Sequence, residues 1–137
     1  MNEPGPDDLP HSQDGRPVTA PVEIRLPADP RYLAVIRLAA TGLISAADPD
    51  LESVENLQLA VNEIVSLLID HAAAGSTVEV ALEGAADRIG LSARCNIAAA
   101  AESVVHPMTA RVLDSTTESW QVRDDGTAEM VVLIGGG

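Results

Sequence analysis

One long apolar period between Leu51 and Ala74 constrains the fold of this chain more than any other sequence feature. Its apolar side chains recur at steps of three and four residues: Val54, Leu57, Val61, Ile64, Val65, Leu68 and Ala72. This spacing predicts one apolar stripe along a helix, and such a stripe needs a core to pack against. Glu63 lies at the edge of the stripe, so it is the first candidate for a residue with a chemical role.

The rest of the sequence predicts a sheet beside this helix. Alternation with period two indicates strands, and apolar spacing with period 3.6 indicates helices. The predicted elements are a strand at 22–26, helices at 31–47 and 51–74, strands at 77–82 and 89–94, a short helix after Pro107, and strands at 118–122 and 129–134. Gly75 is expected to cap the second helix. This order predicts an α+β fold, a two-layer α/β sandwich with two long helices on one face of a mixed, mostly antiparallel sheet.

Composition narrows the domain organisation and the class of partner. A chain of 137 residues is long enough for one domain with a real core. Residues 1–21 are rich in Pro, Gly, Asp and Ser, which predicts a disordered tail before a domain at 22–137. The formal net charge of -13 argues against direct nucleic-acid binding, because phosphates would be repelled. A basic protein is the more natural partner.

The single cysteine and the lack of a leader indicate the compartment. Cys95 cannot form an intramolecular disulfide, so a reducing environment is expected. The first residues show no signal-peptide pattern, and no apolar run reaches the roughly 20 residues of a membrane span. We therefore expect a soluble, cytoplasmic protein, and the use of Arg alone for positive charge suggests a bacterial source. The sequence shows no cluster of residues at metal-ligand spacing.

The run from Ile36 to Ala72 resembles the anti-sigma factor and serine kinase family typified by RsbW and SpoIIAB, in the GHKL ATPase superfamily. In that family the second helix reads approximately L-x-x-A-V-x-E-A-x-x-N-A-x-x-H-A. The matching positions here are Leu57, Ala60, Val61, Glu63, His71 and Ala72. The resemblance implies a Bergerat-type, histidine kinase-like ATPase domain over residues 22–137.

The resemblance also implies a nucleotide site, and several of its parts differ here. Family members hold ATP and Mg²⁺, with Glu63 at the position of the general base and His71 at that of the motif histidine. Leu67 replaces the asparagine that binds the metal, and a leucine cannot coordinate magnesium. Asn96 lies where the family shows D-x-G-x-G, and no glycine occurs between 90 and 126. We therefore expect a degenerate site with a vestigial base, no metal and no firmly held cofactor; ATP and Mg²⁺ are expected only if the family site is retained.

For function, the resemblance implies an anti-sigma factor that sequesters an RNA polymerase sigma factor and is countered by an antagonist protein. Arg37 matches the first-helix arginine of the family, which meets both partners, and the family pairs as homodimers. Kinase activity is not expected. One alternative is an active serine/threonine kinase that phosphorylates an anti-anti-sigma factor, with Glu63 as the base and an unorthodox Mg²⁺ site. Another is a non-enzymatic regulatory module that binds some other protein.

Overall fold

Residues 21–98 and 105–135, which the computed structural model describes, form three helices and a five-stranded sheet. The elements are β1 (Val22–Pro27), α1 (Leu33–Ile44), α2 (Leu51–Asp70), β2 (Thr77–Gly84), β3 (Arg88–Cys95), α3 (Pro107–Thr116), β4 (Ser119–Val122) and β5 (Thr127–Leu133). Single 3₁₀ turns, Pro30–Tyr32 and Ser45–Ala47, flank α1. The predicted tail at 1–21 lies outside the described residues except for Pro21.

The sheet has the strand order β1-β2-β3-β5-β4, and all four pairings are antiparallel. The α+β sandwich is thus confirmed, but the expectation of a mixed sheet is wrong for the described strands. The reason lies in the connections. Two antiparallel helices separate β1 from β2, so the chain returns in the opposite direction. One helix separates β3 from β4, which would suit a parallel pair, but β5 inserts between them.

The core lies between the helices and one face of this sheet. α2 lies at its centre, where Ile64 and Leu68 are completely buried. Every second residue of the central strands faces the helices: Val78, Val80, Leu82, Ile89, Leu91, Ala93, Ala128, Met130 and Val132. α1 contributes Ile36 and Ala40, and α3 contributes Leu113. No described helix combines the length and hydropathy that a membrane span requires.

The start of α2 is fixed both by its own cap and by the C-terminal end of the sheet. Asp50 is the N-cap, and its carboxylate accepts a hydrogen bond from the Ser53 backbone N–H at 2.8 Å. Hydrogen bonding to Ser53 lowers the pKa of Asp50 from its ordinary value. Gly135 donates its N–H to Ser53 Oγ at 2.7 Å and accepts from the Asp50 N–H at 2.9 Å. The chain after β5 therefore closes over the N-terminus of the central helix.

The end of α2 differs from the prediction. The helix stops at Asp70 and not at Ala74, with His71 as the C-cap. The residues that follow pair with the chain after β3, where Ala72 and Ile97 form a bridge. The Ala73 N–H donates to the Asn96 carbonyl at 2.8 Å. This long-range pairing satisfies backbone groups that would otherwise continue the helix. Gly75 has a φ of 76° and lies in the turn beyond it, before β2.

Candidate functional site

Glu63, Leu67 and His71 follow one side of α2, at successive steps of four residues. Four residues make slightly more than one helical turn, so the three side chains lie in a slowly turning row. Glu63 is half-buried, while Leu67 is only 6% exposed and belongs to the core. The structure therefore places three of the four predicted nucleotide residues along one side of α2, with an apolar side chain at the centre of the row, while Asn96 follows β3.

The His71 ring is used by the helix itself. Its Nδ1 lies 2.9 Å from the Leu67 carbonyl oxygen, and because a carbonyl only accepts, Nδ1 is the donor. This bond satisfies one of the carbonyls that a helix C-terminus leaves without an intrahelical partner. His71 thus caps α2, and Leu67 provides a hydrophobic side chain where the family has a metal-binding oxygen.

Asn96 is connected to this region through its backbone. Besides its carbonyl bond to Ala73, it accepts from Ser76 Oγ at 3.2 Å, while its side chain is exposed. The Ala98 N–H donates to the His71 carbonyl at 2.8 Å. Residues 96–98 are therefore fastened to the end of α2 by main-chain bonds, in the part of the chain where the family carries its glycine motif.

Cys95 and Gly126 meet just before this segment. The Cys95 N–H donates to the Gly126 carbonyl at 3.0 Å. Gly126 has a φ of 87°, and a Cβ there would overlap the Cys95 carbonyl oxygen, so this position requires glycine. Cys95 is 3% exposed, and burial raises the pKa of its thiol. The thiol is thus a core group.

Leu67 cannot supply an oxygen ligand to Mg²⁺ at the family's metal-binding position. No group of three His, Cys, Asp or Glu side chains within the described ranges could hold a metal ion. Magnesium requires several oxygen ligands in near-octahedral geometry, and Leu67 supplies none. The residues present at the family positions do not fit the metal.

Arg37 lies at a different place, in the seam between α1 and α2. Its Nη1 donates to Asn62 Oδ1 at 2.9 Å, and both side chains are half-buried. Asn62 precedes Glu63, and successive side chains project from a helix about 100° apart. Glu63 therefore projects away from the Arg37–Asn62 contact. The two predicted functional residues, Arg37 and Glu63, do not form one site.

Arg37 keeps its positive charge unneutralised within the described chain. Five other arginines form ion pairs with carboxylates: Arg25, Arg31, Arg88, Arg94 and Arg123. Arg37 has no such carboxylate partner among residues 21–98 and 105–135, and its hydrogen-bond acceptor is a neutral amide. Arg111 also has no such partner, but it is exposed, whereas Arg37 is half-buried and hydrogen-bonded to α2.

Three large apolar side chains of α1 and α2 are exposed in the same part of the chain. Leu38 follows Arg37 in α1 and is 72% exposed. Val35, which lies one turn before Leu38, is 44% exposed. On α2, Leu59 is 52% exposed and lies three residues before Asn62, which makes the two neighbours on the helix surface. Val35 projects from the far side of α1 relative to Arg37, so we call Arg37, Leu38, Leu59 and Asn62 the α1–α2 surface.

The sequence pattern had singled out Arg37 alone from this set. A usable signal was present nonetheless, because LAVIRLAATGLI, the sequence of α1, contains no charged residue other than Arg37. A helix that packs on a core with only one face normally has a charged or polar opposite face. An apolar solvent face is instead a mark of an interaction surface.

A depression lies on the opposite, outer face of the sheet. It encloses about 920 Å³ and is crossed by charged side chains, with Glu79 between Arg25 and Arg94. Hydrogen bonding to Arg94 lowers the pKa of Glu79. None of the predicted site residues line this depression. It is a different place from both the α2 row and the α1–α2 surface.

Comparison with known proteins identifies the family to which the chain belongs. The sequence matches the histidine kinase-like ATPase domain family over residues 26–130, and the chain belongs to that family. Within it the predicted resemblance to RsbW is confirmed. A stretch of 51 residues is 37% identical to the serine-protein kinase RsbW of Staphylococcus epidermidis, covering 37% of this chain and 32% of the relative.

Other relatives give the same result over similar lengths. A stretch of 58 residues is 34% identical to the serine-protein kinase RsbW of Bacillus pumilus, covering 42% of this chain and 36% of that protein. The match spans about a third of the length of these curated relatives. Among solved structures, the RsbU and RsbW domains of Rv1364c from Mycobacterium tuberculosis superimpose with a TM-score of 0.65 at 14% identity. That likeness covers 87% of this chain and 34% of the other, and it concerns the fold.

Proposed function

We propose that this protein is an anti-sigma factor that sequesters an RNA polymerase sigma factor through the α1–α2 surface, without kinase activity. The observation that supports it best is the Arg37 guanidinium, which has no carboxylate partner among the described residues, on two helices that also expose Leu38 and Leu59. Arginine surrounded by apolar groups is typical of the residues that dominate protein–protein binding energy. An antagonist protein would release the sigma factor by competing for this surface.

The charge around the α1–α2 surface fits a basic partner. Carboxylates follow the solvent side of α2: Glu52, Glu55, Glu63 and Asp70. Complementary charge of this kind speeds association and excludes partners of like charge. The basic surfaces of a sigma factor suit such a helix, while Arg37 would meet an acidic or carbonyl group at the centre. As the family resemblance implies, we include homodimer formation and a cytoplasmic location in the proposal.

The proposed absence of kinase activity is supported by the residue types at the positions where the family binds the metal and the phosphates. Phosphoryl transfer depends almost wholly on positioning and on neutralising the charge of the phosphates. Leu67 offers no metal ligand, and the chain lacks glycine between 90 and 126, where the family closes a lid over the nucleotide. Close approach of backbone to phosphate is what glycine permits.

An active serine/threonine kinase is the second candidate, and one observation favours it. Glu63, at the position of the family's base, is half-buried on the side of α2 and so remains partly accessible to solvent. The relatives that the chain matches are themselves named serine-protein kinases. A kinase would need an unorthodox magnesium site, because Leu67 cannot supply a ligand.

Incubation with γ-labelled ATP, Mg²⁺ and purified candidate antagonist proteins distinguishes the two candidates. We expect no transfer of label above the level of a sample without the protein, for the wild-type chain and Glu63→Gln alike. The serine-protein kinase RsbW of Bacillus pumilus, assayed with its own protein substrate, is the positive control. Transfer by the wild-type chain that Glu63→Gln abolishes would establish the kinase and overturn our preference.

A further inference from the structure

We propose that Asn62 is a positioning residue that orients the Arg37 guanidinium for the partner while leaving its charge intact. This inference rests on the proposed use of the α1–α2 surface. It assigns a function to a residue that otherwise reads as an ordinary polar position on the wet side of α2. The observation behind it is the 2.9 Å hydrogen bond from Arg37 Nη1 to Asn62 Oδ1.

The first step concerns the freedom of the arginine side chain. An unrestrained arginine samples many rotamers, and fixing it at an interface costs about 0.5–1.5 kcal/mol of conformational entropy. Asn62 joins the guanidinium of α1 to α2 before any partner arrives. A bound partner would therefore meet Arg37 already held in one region, beside Leu38 and Leu59.

The second step concerns charge. A carboxylate at position 62 could hold the guanidinium equally well, but it would also neutralise it. The amide of Asn62 has one acceptor oxygen and no charge, so it orients the guanidinium and leaves the positive potential available. A guanidinium has five N–H donors, and the bond to Asn62 uses one of them. The remaining donors can bind a carboxylate or backbone carbonyls on the partner.

The third step concerns the place of Asn62 on the helix. Leu59 lies three residues earlier on the same strip of α2, and it is 52% exposed. Glu63, the next residue, projects about 100° away toward the row of Leu67 and His71. Asn62 thus belongs to the α1–α2 surface, and its substitution leaves that row in place.

The test compares two matched variants whose affinities for a basic partner are expected to change in opposite directions. Asn62→Asp and Asn56→Asp add the same negative charge to α2. Asn56 lies about 120° around the helix from Asn62, and in the described chain the Arg37 guanidinium bonds to Asn62 and not to Asn56. A basic partner should bind Asn56→Asp as tightly as wild type or slightly more tightly. It should bind Asn62→Asp about tenfold more weakly, because the introduced carboxylate would neutralise Arg37.

Two further variants separate orientation from charge. Asn62→Ala leaves the charge of Arg37 unchanged but removes its hydrogen bond to α2. We therefore expect affinity to fall only about threefold, because the partner must then restrict a free arginine side chain. In an Arg37→Ala background, Asn62→Asp should cause no further loss of affinity. A merely structural role would lower the melting temperature and would still weaken binding in that background.

The experiment measures binding of each variant to every purified alternative sigma factor of the organism that encodes the chain, at two salt concentrations. Side-chain NMR of the Arg37 Nη protons is recorded alongside. The inference is supported if the Arg37 guanidinium rotates slowly in the wild type and freely in Asn62→Ala. It is also supported if Asn62→Asp weakens binding while Asn56→Asp does not. If a sigma factor binds and Arg37→Ala weakens it while both Asn62 variants match wild type, the role of Asn62 is wrong and the proposed surface stands. If no sigma factor binds, the proposed function fails, and free Nη rotation in the wild type would then overturn the Asn62 assignment as well.

Discussion

Arg37→Ala is expected to weaken binding of the sigma factor about thirtyfold, the largest effect of any single surface substitution in this chain. The guanidinium is the uncompensated charge of α1, and it lies beside two exposed leucines, Leu38 and Leu59. Truncation of a central arginine in an interface commonly costs about 2 kcal/mol or more, which corresponds to roughly thirtyfold in affinity. Titration calorimetry with the purified sigma factor measures it.

Arg111→Ala is the matched control for that experiment. Arg111 is exposed on α3 and, like Arg37, is not among the arginines that pair with described carboxylates. Its removal changes the net charge by the same amount and should leave affinity within about twofold of wild type. Equal losses for the two variants would mean that overall charge, and not the α1–α2 surface, governs binding.

Leu67→Asn, which restores the residue type of the family's metal ligand, is expected to destabilise the protein by about 2–4 kcal/mol. Leu67 is 6% exposed in the core, so the change removes buried apolar surface and places an amide there. Domains of this size are stable by roughly 5–15 kcal/mol, so a large share of the stability would be lost. Urea unfolding measures the change in free energy.

Leu67→Asn is not expected to gain the ability to bind nucleotide. The chain still lacks the glycines that let backbone approach phosphate, and residues 96–98 remain bonded to the end of α2. Leu67→Met is the control, since a swap that conserves volume usually costs less than about 1.5 kcal/mol. A stable Leu67→Asn protein that binds Mg²⁺–ATP in calorimetry would show that the site is one substitution from function, contrary to our account.

The architecture was largely predictable because its signals are local. The apolar stripe of α2 required a buried central helix, and the alternating runs required strands, which is why the element order agrees with the structure. The N-cap of α2 also involves neighbouring residues, since the Asp50 carboxylate accepts from the Ser53 N–H three residues later. Signals of this kind depend only on residues that are close together in the sequence.

The features that escaped prediction are all long-range. The end of α2 was placed four residues too late, because the pairing of Ala72 with Ile97 is invisible in the helix sequence. The antiparallel character of the whole sheet depends on β5 entering between β3 and β4, which is a matter of topology. Arg37 and Asn62 are 25 residues apart, and no pattern in either helix indicated which side chain of α2 would face the arginine.

The candidate site was predictable in its residues and not in its arrangement. Glu63, Leu67 and His71 share one side of α2 because helical geometry requires it. What the residue types alone could not give is that the His71 ring caps the helix or that Arg37 and Glu63 point to different places. These facts place the proposed binding surface apart from the residues at the family's nucleotide positions.

Affinity for the sigma factor in the presence and absence of Mg²⁺–ATP tests the central claim most directly. Our account places partner binding on the α1–α2 surface and gives nucleotide no part in it. Titration calorimetry should therefore give the same dissociation constant, within about twofold, in buffer with EDTA and in buffer with millimolar Mg²⁺–ATP. Binding that requires the nucleotide, or that tightens tenfold or more when it is added, would contradict the account.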